Sequence, residues 1–241
     1  MTRTPSEKSD LSMVAAMLRG HDLQALPFSK EEVRAGKTPD FRVMDGVRLV
    51  AYCEVKSPRD EWLDSQIDQA EPGEIFGGSR SDPVLNRLSK MIEKAAEQFD
   101  AVNPNRSVPN ILAIVNHDDA SHPGDLIETL TGMFHADNGT RHPTSRNVSE
   151  GRIREAKYRI DLYIWIDGET GRVRGYLFSE SVPAHVDALC EKLGLEKAKF
   201  DVSERARIAV IGSRKASSAY LVKTFIAKRP DDSRALQRPG R

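Results

Sequence analysis

The sequence predicts a protein of the α/β class, in which a mixed central β-sheet is flanked by helices. Residues 83–99 place apolar side chains at helical spacing, which predicts an amphipathic helix. Residues 110–116 contain an unbroken apolar run, which is typical of a strand buried in the middle of a sheet. Residues 41–56 and 158–179 each contain two strand-like segments around an Asp-Gly turn, so each predicts a β-hairpin.

Length and composition indicate one domain with additions at both ends. The chain has 241 residues, 39% of them hydrophobic and 30% charged, so it can bury a sizeable core. We expect a flexible N-terminus over residues 1–8 and a single domain over residues 9–200. We expect a C-terminal elaboration over residues 201–227 and a disordered basic tail over residues 228–241.

The location of the protein is predicted from what the sequence lacks. No apolar run approaches the length of a membrane span, and the polar start MTRTPSEKSD has no apolar core of a secretion signal. We therefore expect a cytoplasmic protein without a membrane partner. The two cysteines, Cys53 and Cys190, are predicted to be reduced and buried.

The remaining elements follow from apolar spacing and turn residues. A first helix is predicted to begin at Ser9 or Asp10 and to end at Gly20. Residues 27–37 are predicted to form a polar connecting segment before the hairpin at residues 41–56. Further helices are predicted over residues 124–135 and 183–193, and a short strand over residues 206–212.

The candidate site lies in residues 38–58, TPDFRVMDGVRLVAYCEVKSP. Alternate residues of a strand point to opposite faces, so Glu54 and Lys56 project side by side. A turn at Asp45-Gly46 would bring Asp40 back toward the end of the second strand. Two carboxylates and a lysine therefore converge in this hairpin.

A converging acid pair predicts a bound cation. Two nearby carboxylates repel each other, and their hard oxygen atoms suit Mg²⁺ or Mn²⁺. Asp40 and Glu54 are the candidate metal ligands. Lys56 would orient a water molecule or offset charge on a phosphoryl oxygen, so the chemistry predicted is phosphodiester hydrolysis.

Pro39-Asp40 followed by Glu54-Val55-Lys56 resembles the motif of the PD-(D/E)xK nuclease superfamily, as a pattern of elements over roughly residues 10–180. The resemblance implies a restriction-endonuclease-like core, with Asp40 and Glu54 binding Mg²⁺ or Mn²⁺ and Lys56 positioning the water. Some relatives add an acid from the first helix. Here that helix offers only Glu7 and Asp10 near its start, so this role stays unassigned, with Glu32 as a candidate.

In the resembled fold, the helix after the Glu-x-Lys strand packs beside the active site and presents polar residues to it. Gln98, or Arg87 with Lys94, could therefore meet a phosphate or the metal-bound water, unless this flank only pairs with Glu93 and Glu97. The basic segment at residues 141–159 adds three candidate phosphate contacts, namely Arg152, Arg154 and Lys157. The spacing of His142 with the upstream histidines His117, His122 and His135 matches no zinc pattern.

Two functions are therefore predicted, and a third possibility is a different α/β enzyme in which Glu54 and Lys56 form only a surface ion pair. The first is a Mg²⁺-dependent endonuclease or phosphodiesterase with nucleic acid, in the first place DNA, as its partner. The alternative is an inactive nuclease-fold module that binds nucleic acid or protein. A net charge of zero excludes binding by global charge alone, so a local basic surface would have to bind the phosphates. A homodimer is compatible with either function.

Overall fold

A computed structural model describes residues 5–59, 84–118, 121–135, 141–143, 153, 155–179, 184–197 and 208–213. In these residues five helices and ten strands are present, with a single 3₁₀ turn at Ala156–Arg159. The helices are α1 (Pro5–Arg19), α2 (Lys30–Ala35), α3 (Val84–Val102), α4 (Pro123–Thr131) and α5 (Ala184–Lys192). The strands are β1 (Gln24–Pro27), β2 (Phe41–Asp45), β3 (Arg48–Lys56), β4 (Asn110–Asn116), β5 (Met133–His135), β6 (Arg141–Pro143), β7 (Leu162–Asp167), β8 (Val173–Ser179), β9 (Leu195–Lys197) and β10 (Ile208–Ser213).

The predicted α/β class is confirmed, because one mixed sheet is flanked by helices. Its strand order is β1-β2-β3-β4-β7-β8-β10-β9, so β1 and β9 are the edge strands among the described residues. Strands β3, β4 and β7 are parallel to one another, whereas every other neighbouring pair is antiparallel. Strands β5 and β6 pair separately as a two-stranded ribbon.

The central sheet buries both of its faces, and alternation along the strands divides the core into two layers. On one face Cys53 of β3 packs in a cluster that includes Val14 and Leu18 of α1 and residues of α5. On the other face Tyr52 packs against a cluster that includes Ile92 and other residues of α3, together with residues of α4. Glu54 has the same parity as Tyr52, so it lies on the α3 side of the sheet.

The elements that frame the candidate site agree with the prediction. Strands β2 and β3 form the expected hairpin, and Gly46 has a φ of 60° in its turn, a value that glycine tolerates best. Helix α3 buries the predicted stripe, including Leu88, Ala95 and Phe99, and continues to Val102. Strand β4 has the predicted bounds, and its apolar residues are completely buried. Cys53 and Cys190 are both buried and unpaired.

Several predicted boundaries were wrong. Helix α1 begins at Pro5, so neither Ser9 nor Asp10 caps it. The segment before the hairpin contains a strand, β1, and a short helix, α2, which begins with a capping box between Ser29 and Glu32. Helix α4 ends at Thr131 because Gly132 adopts a left-handed conformation with a φ of 69°.

The C-terminal part of the chain extends the sheet beyond the predicted hairpin of β7 and β8. Strand β10 pairs with β8, and β9 pairs with β10. The predicted tail at residues 228–241 lies outside the described residues. Among the helices that the structure describes, none is both long and apolar enough to cross a bilayer.

We predict that position 168, in the turn between β7 and β8, requires glycine because the space around it does not admit a side chain. A Cβ atom there would lie 2.5 Å from the His117 ring and 2.6 Å from the Asn116 carbonyl oxygen. Replacing Gly168 with alanine should therefore reduce the free energy of unfolding by roughly 1 to 3 kcal/mol. Urea denaturation of Gly168→Ala would measure this loss.

The matched control is Gly36→Ala, at the end of α2. Gly36 has an extended backbone with a φ of −178°, and a Cβ atom there would meet nothing within 4 Å. The urea concentration at the midpoint of unfolding should be close to that of the wild type for this variant. Equal midpoints for Gly168→Ala and the wild type would contradict the predicted clash.

Candidate functional site

The register of the β2 and β3 hairpin brings the two predicted acids together. Phe41 pairs with Cys53, so Asp40 lies opposite Glu54 in the next position of the same register. Side chains in directly opposite positions of an antiparallel pair have Cβ atoms about 5 Å apart. Asp40 Oδ2 also accepts a hydrogen bond of 2.9 Å from the backbone N–H of Val55, which orients its carboxylate at the end of β3.

Glu54 is a buried acid with one satisfied oxygen atom. Its side chain is only 4% exposed, and its Oε1 accepts a hydrogen bond of 2.6 Å from Lys56 Nζ. Its Oε2 is buried and has no hydrogen-bond partner among the described residues. Buried polar atoms are nearly always paired with protein or with ordered water, so a water molecule or an ion is expected to contact this oxygen.

The environment of Glu54 favours its protonated form. Burial raises the pKa of Glu54 most, and the nearby charge of Asp40 raises it further. Lys56 and Gln98 lower this pKa, but together they do not offset the two opposing effects. The pKa of Glu54 therefore rises from its ordinary value of 4.5 to about 7.

Gln98 of α3 is the fourth member of the cluster, as its predicted position suggested. Its Oε1 accepts a hydrogen bond of 3.1 Å from Lys56 Nζ, and its Nε2 donates one of 2.8 Å to the Thr38 carbonyl oxygen. The amide thus connects the lysine to the segment that precedes Asp40. We refer to Asp40, Glu54, Lys56 and Gln98 as the acid–lysine cluster.

The other residues predicted for phosphate contact are placed differently. Lys157 is 5% exposed, and its ammonium group donates a hydrogen bond of 2.7 Å to the Leu130 carbonyl oxygen in the interior of the fold. The prediction that Lys157 contacts a phosphate was therefore wrong. Arg87 pairs with Asp118 at 2.6 Å and also donates to the Arg59 carbonyl oxygen. Lys94 is exposed on α3. Arg152 and Arg154 lie outside the described residues.

Neither Glu32 nor Asp10 of α1 joins the cluster. Glu32 pairs with Arg42 on the protein surface, and this contact lowers the pKa of Glu32 to about 2. Asp10 is buried but belongs to α1, on the face of the sheet opposite to Glu54. Its Oδ1 lies 2.9 Å from His117 Nε2, and its Oδ2 lies 3.5 Å from an Arg59 nitrogen.

The sequence does not predict the contact between Asp10 and His117. An acid near the start of a helix and a histidine 107 positions later share no local pattern, so only the packing of α1 on the sheet brings them together.

Within the part of the chain that the structure describes, no group of three or more His, Cys, Asp or Glu side chains could hold a metal ion. The acid–lysine cluster therefore offers two carboxylates. Mg²⁺ is commonly held by one or two carboxylates together with water molecules and substrate phosphate oxygens. The donor set of Asp40 and Glu54 fits this kind of site.

Comparison of the chain with protein-family models, with curated protein sequences and with solved structures gave no match. The geometry of the acid–lysine cluster is therefore the basis on which its chemistry is interpreted. That geometry combines an acid pair, a buried oxygen without a partner, and a lysine held by two acceptors.

We predict that Glu54 makes the protein less stable as the pH rises. Between about pH 4.5 and pH 7 the folded state keeps a proton on Glu54 that the unfolded state has lost. The free energy of unfolding should then fall with rising pH by roughly 1.4 kcal/mol per pH unit from this group. Glu54→Gln should remove this part of the decline, measured by urea denaturation in EDTA at a series of pH values.

Glu97→Gln is the control, because Glu97 is exposed and Lys37 lowers its pKa, which is the opposite direction. This variant should keep the decline of the wild type. A Glu54→Gln protein with the same pH dependence as the wild type would contradict the assignment of a raised pKa to Glu54.

Proposed function

We propose that this protein is a metal-dependent nuclease that hydrolyses phosphodiester bonds, with DNA as the first substrate to test. The observation that carries the proposal is the buried oxygen of Glu54 that has no partner and lies beside a second carboxylate. A divalent cation would satisfy this oxygen and remove the repulsion between the two acids. The motif places the proposal within the PD-(D/E)xK superfamily by resemblance.

Asp40 and Glu54 are the residues that would hold Mg²⁺ or Mn²⁺. A bound ion of this type lowers the pKa of a coordinated water and polarises a phosphoryl oxygen. The hydrogen bond from Val55 N to Asp40 Oδ2 keeps the Asp40 carboxylate in place before any ion binds. The site is thus partly pre-organised, which reduces the cost of assembling it.

Lys56 would provide the positive charge that faces the reacting phosphate. The Lys56 side chain is 20% exposed, and its ammonium group donates hydrogen bonds to Glu54 Oε1 and Gln98 Oε1. A lysine nitrogen carries three N–H donors, so one remains for a phosphate oxygen or a water molecule. Stabilising negative charge at this position is the contribution that we assign to Lys56.

The fold around the cluster supports the proposal. Three neighbouring antiparallel strands, β1 to β3, precede α3, and β4 then pairs parallel with β3. In the resembled restriction-endonuclease-like fold, the helix after the Glu-x-Lys strand packs beside the active site. Among the described residues, α3 is the next helix after β3, and it contributes Gln98 to the cluster.

A binding module without catalysis is the second candidate. It is favoured by the position of Asp10, which lies on the other face of the sheet and leaves Asp40 and Glu54 as the two acids of the acid–lysine cluster. In such a module Lys56 alone would balance Glu54, and the acid pair would not bind metal. Metal binding separates this candidate from the nuclease.

We predict that calorimetry with Mn²⁺ will detect one site that Asp40→Asn abolishes. We also predict Mg²⁺-dependent cleavage of DNA by the wild type. Because Lys56 stabilises charge in the transition state, Lys56→Ala should lower the cleavage rate by about 10²-fold or more. The same variant should still bind Mn²⁺, since its two carboxylates are intact.

Two controls match these variants. Asp45→Asn removes an acid from the other end of β2, where it pairs with Arg48 and Lys192, and should leave Mn²⁺ binding unchanged. Lys37→Ala removes an exposed lysine that pairs with Glu97 of α3, and should leave cleavage unchanged. Full cleavage by Lys56→Ala would exclude the proposed mechanism, and a wild type without an Asp40-dependent Mn²⁺ site would favour the binding module.

A further inference from the structure

An arginine and two aromatic rings, all partly exposed, lie beside the acid–lysine cluster, and the proposed reaction does not use them. The guanidinium carbon of Arg42 is 3.8 Å from the centroid of the Phe28 ring. The Phe28 and Tyr52 rings stack, with centroids 6.1 Å apart and planes inclined by 27°. We refer to Phe28, Arg42 and Tyr52 as the aromatic cluster.

The aromatic cluster and the acid pair share one face of the sheet. Arg42 and Tyr52 lie opposite each other on β2 and β3, and each is two residues from an acid, Asp40 or Glu54 respectively. Two residues along a strand span about 7 Å, which is close to the length of one nucleotide in an extended strand. A substrate phosphate at the acid pair would therefore have its neighbouring nucleotide at the aromatic cluster.

The aromatic cluster is accessible as well as ordered. Phe28 and Tyr52 are partly exposed, and the Arg42 side chain is 31% exposed. Leu26, which pairs with Arg42 from β1, is 44% exposed and extends the apolar surface toward the edge of the sheet. Partly exposed aromatic rings next to a cation are the elements with which proteins bind bases and phosphates of single strands.

Arg42 is held in a fixed orientation. Its two terminal nitrogen atoms both donate to the carboxylate of Glu32, and its plane lies over Phe28. The pKa of Glu32 is lowered to about 2, chiefly by its hydrogen bond with Arg42, so this pair stays charged at neutral pH. A guanidinium group has five N–H donors, and two contacts with Glu32 leave others for a phosphate.

We propose that Phe28, Arg42 and Tyr52 form a subsite for one nucleotide of a single-stranded segment, next to the bond that the acid–lysine cluster would cleave. The adjacent cleavage rests on the proposed function. The base stacks on the exposed ring surface, and Arg42 binds the phosphate that follows. Stacking on a protein ring requires a base that is not already stacked in a duplex, so the subsite selects single strands.

A purely structural role for these residues makes a different prediction. The contact between Glu32 and Arg42 also attaches α2 to the hairpin, so it contributes to the position of α2. If that were its whole role, removing either partner would have the same effect. A nucleotide subsite distinguishes the partners, because Arg42 attracts a phosphate and Glu32 repels it.

The test is fluorescence anisotropy with a labelled oligothymidylate and with a blunt duplex of equal length, both in EDTA. The wild type should bind the single strand more tightly than the duplex. Phe28→Leu and Arg42→Gln should each weaken single-strand binding by about tenfold or more, and should change duplex binding little. Glu32→Gln is the matched control, and it should bind the single strand at least as tightly as the wild type.

Salt dependence gives a second readout that a structural role would not change. The slope of log K against log salt concentration should become less negative by about 0.7 for Arg42→Gln, because one phosphate contact is lost. The slope should stay the same for Phe28→Leu. Phe28→Tyr keeps an aromatic ring and should retain the affinity, which separates loss of stacking from loss of folding.

Three outcomes would overturn the subsite: preference of the wild type for the duplex, unchanged single-strand affinity in Phe28→Leu and Arg42→Gln, or equal losses in Arg42→Gln and Glu32→Gln. Because EDTA removes divalent ions, these results do not depend on the metal site. A result that overturns the subsite would leave the predictions of Mn²⁺ binding and DNA cleavage unaffected. A protein that binds single strands but no Mn²⁺ would refute the nuclease and retain the subsite.

Discussion

Two carboxylates on neighbouring strands, one of them buried, have to be balanced by positive charge, and the arrangement of the site follows from this requirement. Removing an ionised carboxylate from water costs several kcal/mol, and a second carboxylate nearby adds to that cost. Lys56 offsets one negative charge, yet the pKa of Glu54 still rises to about 7. Lys56 therefore does not neutralise all of the negative charge of the cluster. The remaining negative charge favours the binding of a divalent cation or of a proton.

The sheet and α3 together fix where this charge lies. Hydrogen bonding between β2 and β3 sets Asp40 opposite Glu54, and the alternation of β3 directs Glu54 to the side of α3. Gln98 and Glu97 of α3 contact Thr38 and Lys37, so the helix is connected to the segment just before Asp40. The opposite face is covered by α1 and α5 and serves the packing of the sheet, including the buried contact between Asp10 and His117.

Elements with strong periodicity were predictable from the sequence, and elements defined by distant partners were not. The stripe of α3, the apolar run of β4 and the turn at Gly46 each depend on residues close in the chain. Strand β1 has four residues and little apolar pattern, and it exists because β2 pairs with it. Within the site, strand parity predicted that Glu54 and Lys56 would lie together. The aromatic cluster could not be predicted, since it joins a loop residue to two strands through ring packing.

The most direct test of this account is a crystal structure of the protein soaked with Mn²⁺, with anomalous scattering used to locate the ion. We expect one anomalous peak at coordination distance from oxygen atoms of both Asp40 and Glu54, including Glu54 Oε2. This peak should disappear in Asp40→Asn crystals. A structure in which the ion binds elsewhere, while Glu54 keeps Lys56 as its only partner, would contradict the central claim.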